Sequence, residues 1–381
     1  MSFRKKNAVI RDAGTLPAQK QNKAFNPGTR HSPLDGRLTT STGTVSLDQL
    51  LAGHCGMPLG TSLLVEETGT TDFGGTLLRY FAAEGLVQGH HVHLLGPGDA
   101  FRRELPGLAD RVSRAKADNK NDVASYDKMR IAWRYKALSN VSPPVKDYQA
   151  GCPSSGDAEP FCHSFNLAKR LESSAIRGQL HGLHGRDFQG HLAAPNFKIF
   201  LDDVAAKLMI SPPIAVHRIL VPNLLSPAVY GSAACQPHQV LQFLYGLRSI
   251  LRQFPAKATA LVTLSVSLYP RTTGLTRWME LLSDGVIELV TLPHQVTLSH
   301  GSDRDANFQG LLRVHSVPIF HERGGGLANS CLDEDRSFKL SALSGMVIMP
   351  FSLPPIGDQG SSSIQPPEAP EPNVPKQSLE F

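Results

Sequence analysis

No lysine occurs between Lys23 and Lys116. Any chemistry that needs an ammonium group in that stretch is excluded, and the stretch contains the one loop with phosphate-binding spacing. Cysteine is scarce as well. The five residues Cys55, Cys152, Cys162, Cys235 and Cys331 are widely spaced, with no C-x-x-C pair. An odd, scattered set argues against a disulfide framework or a cysteine zinc site and fits a reducing compartment, cytoplasm or nucleus. Long apolar runs are missing too. "ATALVTLSVSLY" is far shorter than the roughly 20 residues needed to cross a bilayer. The start, "MSFRKKNAVIRDAG", lacks the apolar core of a signal peptide. A soluble protein without a membrane partner is expected.

The formal net charge of +5 over 381 residues is unevenly placed. Residues 1–37 carry eight basic side chains against Asp12 and Asp35, an excess larger than that of the whole chain. They are also polar and Gly/Pro-punctuated, which predicts a disordered basic arm. Residues 353–381 are rich in Pro, Ser and Glu and predict a disordered tail. Between them, strand and helix patterns alternate. "TSLLVEE" (61–67) reads as a buried strand, 75–86 as a helix, and "HHVHLLG" (90–96) as a second strand. "HRILVPNL" (217–224), 237–254, 258–266, 275–284 and 285–292 continue the alternation. Residues 310–320 and 338–351 look like later antiparallel strands, and 97–210 like an irregular insertion. Alternation of this kind predicts an α/β fold with a mostly parallel sheet covered on both faces.

The loop in the lysine-free stretch is "GTTDFGGT". Gly69, Gly74 and Thr76 match the spacing Gly, four residues, Gly, Lys, Ser/Thr, but Gly75 stands where the lysine belongs. That lysine reaches the β- and γ-phosphates. A working site also needs a magnesium-binding acid at a strand end. "RILVPNLLSP" (218–227) ends in Asn223 and Ser226. Asp202 and Asp203 fall in a helical pattern and read as a solvated face. The loop is therefore a degenerate phosphate loop. His90, His91 and His93 form a cluster with His91 and His93 on one strand face, but no Cys or carboxylate stands at ligand spacing, and His181/His184 share that weakness. No metal and no Ser–His–Asp or paired-carboxylate site is expected. Arg271 and Arg277, in the loop "LYPRTTGLTRW" (268–278), are candidate RNA contacts.

"TSTGTVSLDQLLAGHCGMPLGTSLLVEE" (40–67) resembles the leading segment of RecA- and KaiC-like ATPases. "LLVEETGTTDFGGTLLRYFAAEGLVQGHHVHLL", "RIAWRY" and "FCHSFNLAKRL" resemble the PAXNEB family of Elongator subunits, over residues 38–350. The resemblance implies a RecA-like domain, residues 38–352, without the usual Walker residues. It implies a hetero-hexameric ring with the fifth and sixth Elongator subunits, docked on the larger catalytic subunits, that binds tRNA and supports wobble-uridine (U34) modification. It implies no required cofactor, with ATP at ring interfaces, and an ATPase role there, as the alternative.

Overall fold

The computed structural model describes residues 27–33, 35–51, 56–109, 160–183, 185–186, 192–193, 196–232, 234–297, 307–319, 335–341 and 345–351. Strands β1 (Thr29–His31), β2 (Leu38–Thr40) and β3 (Met57–Pro58) form a small antiparallel sheet, with helix α1 (Val45–Leu50) between β2 and β3. Then follow β4 (Ser62–Glu67), α2 (Phe73–Gln88), β5 (His91–Leu94) and α3 (Gly98–Glu104). β6 (Pro106–Leu108) pairs with β7 (Phe165–Arg170), and after β8 (Gln179–Gly182) a short ladder joins β9 (Gly185–Arg186) to β10 (Leu192–Ala193). The rest is α4 (Phe197–Ile210), β11 (His217–Leu224), α5 (Pro237–Gln253), β12 (Ala258–Ser265), α6 (Gly274–Leu282), β13 (Gly285–Thr297), β14 (Asn307–Ser316), β15 (Arg336–Ser341) and β16 (Gly345–Pro350).

The central sheet has nine strands in the order β16-β15-β14-β13-β4-β12-β11-β5-β8. The run from β13 to β8 is parallel throughout, and β14, β15 and β16 add antiparallel strands at one edge. This is the α/β class read from the sequence, a mostly parallel sheet with later antiparallel strands. Alternation along β4 puts Leu63 and Val65 in the apolar cluster built on α2, and Leu64 in the cluster built on α4, α5 and α6. The sheet is thus covered on both faces.

Helix α2 is longer than the 75–86 expected, and nearly every residue from Gly74 to Gln88 is buried except Gly75 and Arg79. The reason is a second layer on its far side. Arg218 of β11, fully buried, passes α2 at Gly85, where a Cβ would lie 2.6 Å from the arginine Cδ. Its guanidinium donates to the Phe81 carbonyl (2.8 Å), Thr40 Oγ1 of β2 (2.7 Å) and His90 Nδ1 (3.0 Å). Since Nδ1 accepts, His90 Nε2 carries the proton and donates to the Pro27 carbonyl at 2.8 Å. Glu84 on α2, also fully buried, accepts from the His163 backbone and ring.

Three stretches differ from the sequence reading. The 1–37 arm does not run to residue 37, because β1 pairs with β2 and Arg30 stacks 3.7 Å over the Phe161 ring. Period-2 pairing over three residues is too short to register as a pattern. The insertion 97–210 is more regular than expected in supplying β8, parallel to β5, while the helical pattern read around Asp202 and Asp203 is α4, capped by the Asn196 side chain. Residues 338–351 form not one strand but the hairpin β15–β16. "RIAWRY" and the tail after residue 351 lie outside the described residues.

Removal of β1 tests the new boundary. A fragment spanning 27–351 is expected to keep its thermal midpoint, whereas one starting at residue 38 should melt lower by several degrees, through loss of the β1–β2 ladder and the Arg30–Phe161 stack. Equal midpoints would return residues 27–37 to the arm.

Candidate functional site

The degenerate loop lies where expected, between β4 and α2 at the carboxyl ends of the parallel strands. A helix N-terminus there offers unpaired N–H groups to an anion. In this protein the anion is internal. Glu67, the last residue of β4, turns its carboxylate onto the loop. It accepts from Phe73 N (2.9 Å), Gly74 N (2.9 Å) and Thr71 Oγ1 (2.7 Å). Burial pushes the Glu67 carboxyl up, and these hydrogen bonds pull against that shift. Asp72, the N-cap residue of α2, uses its side chain elsewhere: it pairs with Arg79 at 2.6 Å. A Cβ at Gly75 would collide with that carboxylate. The Thr76 hydroxyl donates to the Asp72 carbonyl (2.9 Å). The Phe73 and Gly74 N–H groups and the Thr76 hydroxyl, which a phosphate or magnesium ion would use, are therefore engaged within the chain.

A cleft of about 330 Å3 opens beside the loop, between Gly69–Asp72, Asn223–Ser226 and Tyr269. Asp72 is its one charged lining residue, and no lysine or arginine lines it. Asn223 sits at the end of β11, where an acid would be needed, with its backbone N–H held by Thr263 Oγ1 (2.7 Å). Asn223 and Leu225 have positive φ, 43° and 69°. For a bulky leucine this is strained backbone.

Because alternate residues of a strand face opposite sides, Glu66 points away from Glu67 and into the α6 face. It is fully buried, with Oε2 3.2 Å from Arg271 Nε. The Nε–H itself is directed at Glu280 (2.7 Å), so neither Glu66 oxygen has an aligned donor. Burial first, then the neighbouring Glu280 and Glu288, push the Glu66 carboxyl up to about 8, against the pull of Arg271. Arg271 also lies 3.2 Å from His315 Nδ1 and 3.9 Å from Glu288. The two arginines read together as RNA contacts thus separate. Arg271 is bound into a carboxylate cluster with Glu66, Glu280 and Glu288. Arg277 is 66% exposed, 3.6 Å from Glu280. Spacing alone hid this, because the partners come from β4, α6 and β13.

The histidines assemble across three strands. His93 Nε2 and His217 Nδ1 are 2.9 Å apart, and His91 Nδ1 and His181 Nε2 3.4 Å apart. The His91–His217 and His93–His181 ring centroids are separated by 4.7 and 5.1 Å. Burial lowers the pKa of all four, to about 3 for His217, so the block is neutral. Among the described residues no three His, Cys, Asp or Glu side chains converge as a metal site. His184 lies outside the described residues. The expected side of the strand was right for His91 and His93, with His90 opposite; His217 was missed because its approach depends on strand order.

Sequence reasoning also missed Glu66 and Glu67. The available signal was two carboxylates at the end of an apolar strand, directly before a glycine loop.

Gly75→Lys alone should bind no ATP and support no hydrolysis, because Glu67 still occupies the loop N–H groups and Asp72 blocks the new side chain. Glu67→Ala should lower stability by about 2 kcal/mol through loss of the cap. Calorimetric titration with Mg-ATP and denaturant unfolding read the two; tight ATP binding by Gly75→Lys would refute the first. For Glu66, a raised folded pKa means stability that is present below about 4.5 and is lost as pH rises through about 8. Glu66→Gln, which cannot ionise, should gain on the wild type as pH goes from 5 to 9. A pH-independent difference in thermal midpoint would show that Glu66 is ionised throughout.

The chain is 30% identical over 370 residues to Elongator complex protein 4 of Schizosaccharomyces pombe, covering 94% of each protein. It is 28% identical to the human Elongator complex protein 4, over 76% of this chain and 72% of that one. A KaiC-like protein from Pyrococcus horikoshii is similar at 13% identity and TM-score 0.42, over 82% of this chain and 99% of that one, too distant to place a residue. Among the described residues no helix is long and apolar enough to cross a membrane. The PAXNEB protein family model matches residues 22–381, and the chain belongs to that family.

Proposed function

We propose that this chain is a non-catalytic, RecA-like subunit of the Elongator complex. It forms a hetero-hexameric ring with the fifth and sixth subunits. The ring binds tRNA and supports wobble-uridine (U34) modification by the larger catalytic subunits, in cytoplasm and nucleus. Family membership supports the complex. The observation that carries the non-catalytic part is the Glu67 carboxylate on the Phe73 and Gly74 N–H groups. Phosphoryl transfer rests on positioning and on positive charge around the phosphates. Here a negative charge occupies that place, Gly75 replaces the lysine, and Asn223 ends the strand that would carry the acid. No cofactor is needed by a scaffold of this kind. Weak RNA contacts multiplied around a ring would raise apparent affinity well above that of a single chain.

Co-purification with the fifth and sixth subunits tests the proposal. The expected result is a hetero-hexameric mass, tRNA binding by the assembly and little by the chain alone, and no loss of binding when nucleotide is removed. A monomeric chain that turns over ATP by itself would overturn it. ATP hydrolysis by the ring, abolished by changes in this chain's loop, would favour nucleotide at the subunit interfaces instead.

A further inference from the structure

The larger cleft of the described fold lies away from the strand ends. It measures about 560 Å3 and opens at the outer edge of the sheet, beside β8 and below α3. Arg102, Lys207, His181, Ile176, Leu180 and Gly178 line it. Three features distinguish it from the cleft at the loop. It contains cations, whereas the loop cleft contains none. Among the described residues the Arg102 guanidinium makes no hydrogen bond or ion pair, unlike Arg271, and it stands exposed on α3. And an imidazole is fixed at its wall. His181 is held 3.4 Å from His91 and packs against His93, and it is kept neutral by burial.

We propose that this edge cleft binds single-stranded RNA, with backbone phosphates on Arg102 and Lys207 and a base against the His181 ring. The inference rests on the reading that the assembled protein binds tRNA, and it names where. Unpaired RNA is recognised by stacking bases on aromatic, imidazole or guanidinium planes, with cations following the phosphates. Leu180 and Ile176 supply an apolar floor for a base edge. Acids limit the electrostatic pull: Asp99 also lines the cleft, and Lys207 pairs with Asp203 at 2.6 Å. The contact is accordingly a weak one that needs several copies, which suits a ring better than an isolated chain.

The test uses the full chain in its reconstituted assembly. Arg102→Glu combined with Lys207→Gln changes exposed or half-exposed side chains only, so the fold and the assembly mass should be retained. tRNA and an unstructured RNA octamer are titrated at several salt concentrations, with AMP as the mononucleotide probe and Arg277→Glu as the comparison. The expected result is at least about tenfold weaker RNA binding by the double variant. The slope of log K against log salt should also flatten, by about 1.4 for two lost single-strand phosphate contacts. Photo-crosslinks should fall in 98–104 or 176–182. Unchanged binding in an intact assembly overturns the inference and leaves the tRNA-binding reading standing. Wild-type assembly that binds no RNA overturns both. AMP binding that competes with the octamer mole for mole would make the cleft a free-nucleotide site and also overturn it.

Discussion

The buried guanidinium of Arg218 is the constraint on which the architecture turns. A charge removed from water must find partners, and the cost of leaving one unpaired is several kcal/mol. Arg218 meets this demand with Thr40 from the leading strands, the Phe81 carbonyl from α2 and His90 before β5. Glu84 and Asp48 offset its charge from nearby, and burial lowers its pKa only to about 10, so it stays ionised. These partners come from segments that are remote in sequence. The same side chain therefore fixes how the leading sheet sits on α2 and how α2 sits on the central sheet. The position of the α2 N-terminus, and so of the glycine loop, follows from that.

At the loop itself, carboxylates stand where a nucleotide enzyme would place cations and phosphate. Glu67 is to this helix what a bound anion is to others: it satisfies the first N–H groups and complements the positive end of the helix dipole. The loop is then stable with nothing bound. Asp72 and Arg79 close the other side through an ion pair rather than through a phosphate contact. A lysine at position 75 would stand opposite Glu67 and Asp72 and be neutralised by them.

The two faces of the sheet divide the remaining polar chemistry. One strand residue, Glu66, feeds a carboxylate–arginine cluster on the α6 face, which takes Arg271 out of circulation as a surface cation. At the opposite end of the parallel run, four neutral imidazoles tie the edge strand β8 to β5 and β11. Arg102, exposed on α3, lies beside that edge, and Lys207 there pairs with Asp203. Where positive charge is available to a polyanion is thus decided by which arginines the core has already used.

Much of this was legible in the sequence. Strand–helix alternation specified an α/β sheet, because residues facing a covered sheet on both sides must be apolar. The glycine spacing located the loop between a strand and a helix, and Gly75 and Asn223 marked the positions where a lysine and an acid would stand. Period alone also put His91 and His93 on one strand face. Tertiary structure decided the rest, for a physical reason: the groups involved meet only after strands distant in the chain are set side by side. Glu67 needs the turn of the loop to reach its N–H donors. His217 needs β11 beside β5, and Arg271 needs β4, α6 and β13 at one point. Strand β1 exists only because β2 and the Phe161 ring are there to receive it. Local pattern determines which elements form and which face is buried. Partner choice among buried charges depends on three-dimensional proximity, which no spacing rule in one sequence encodes.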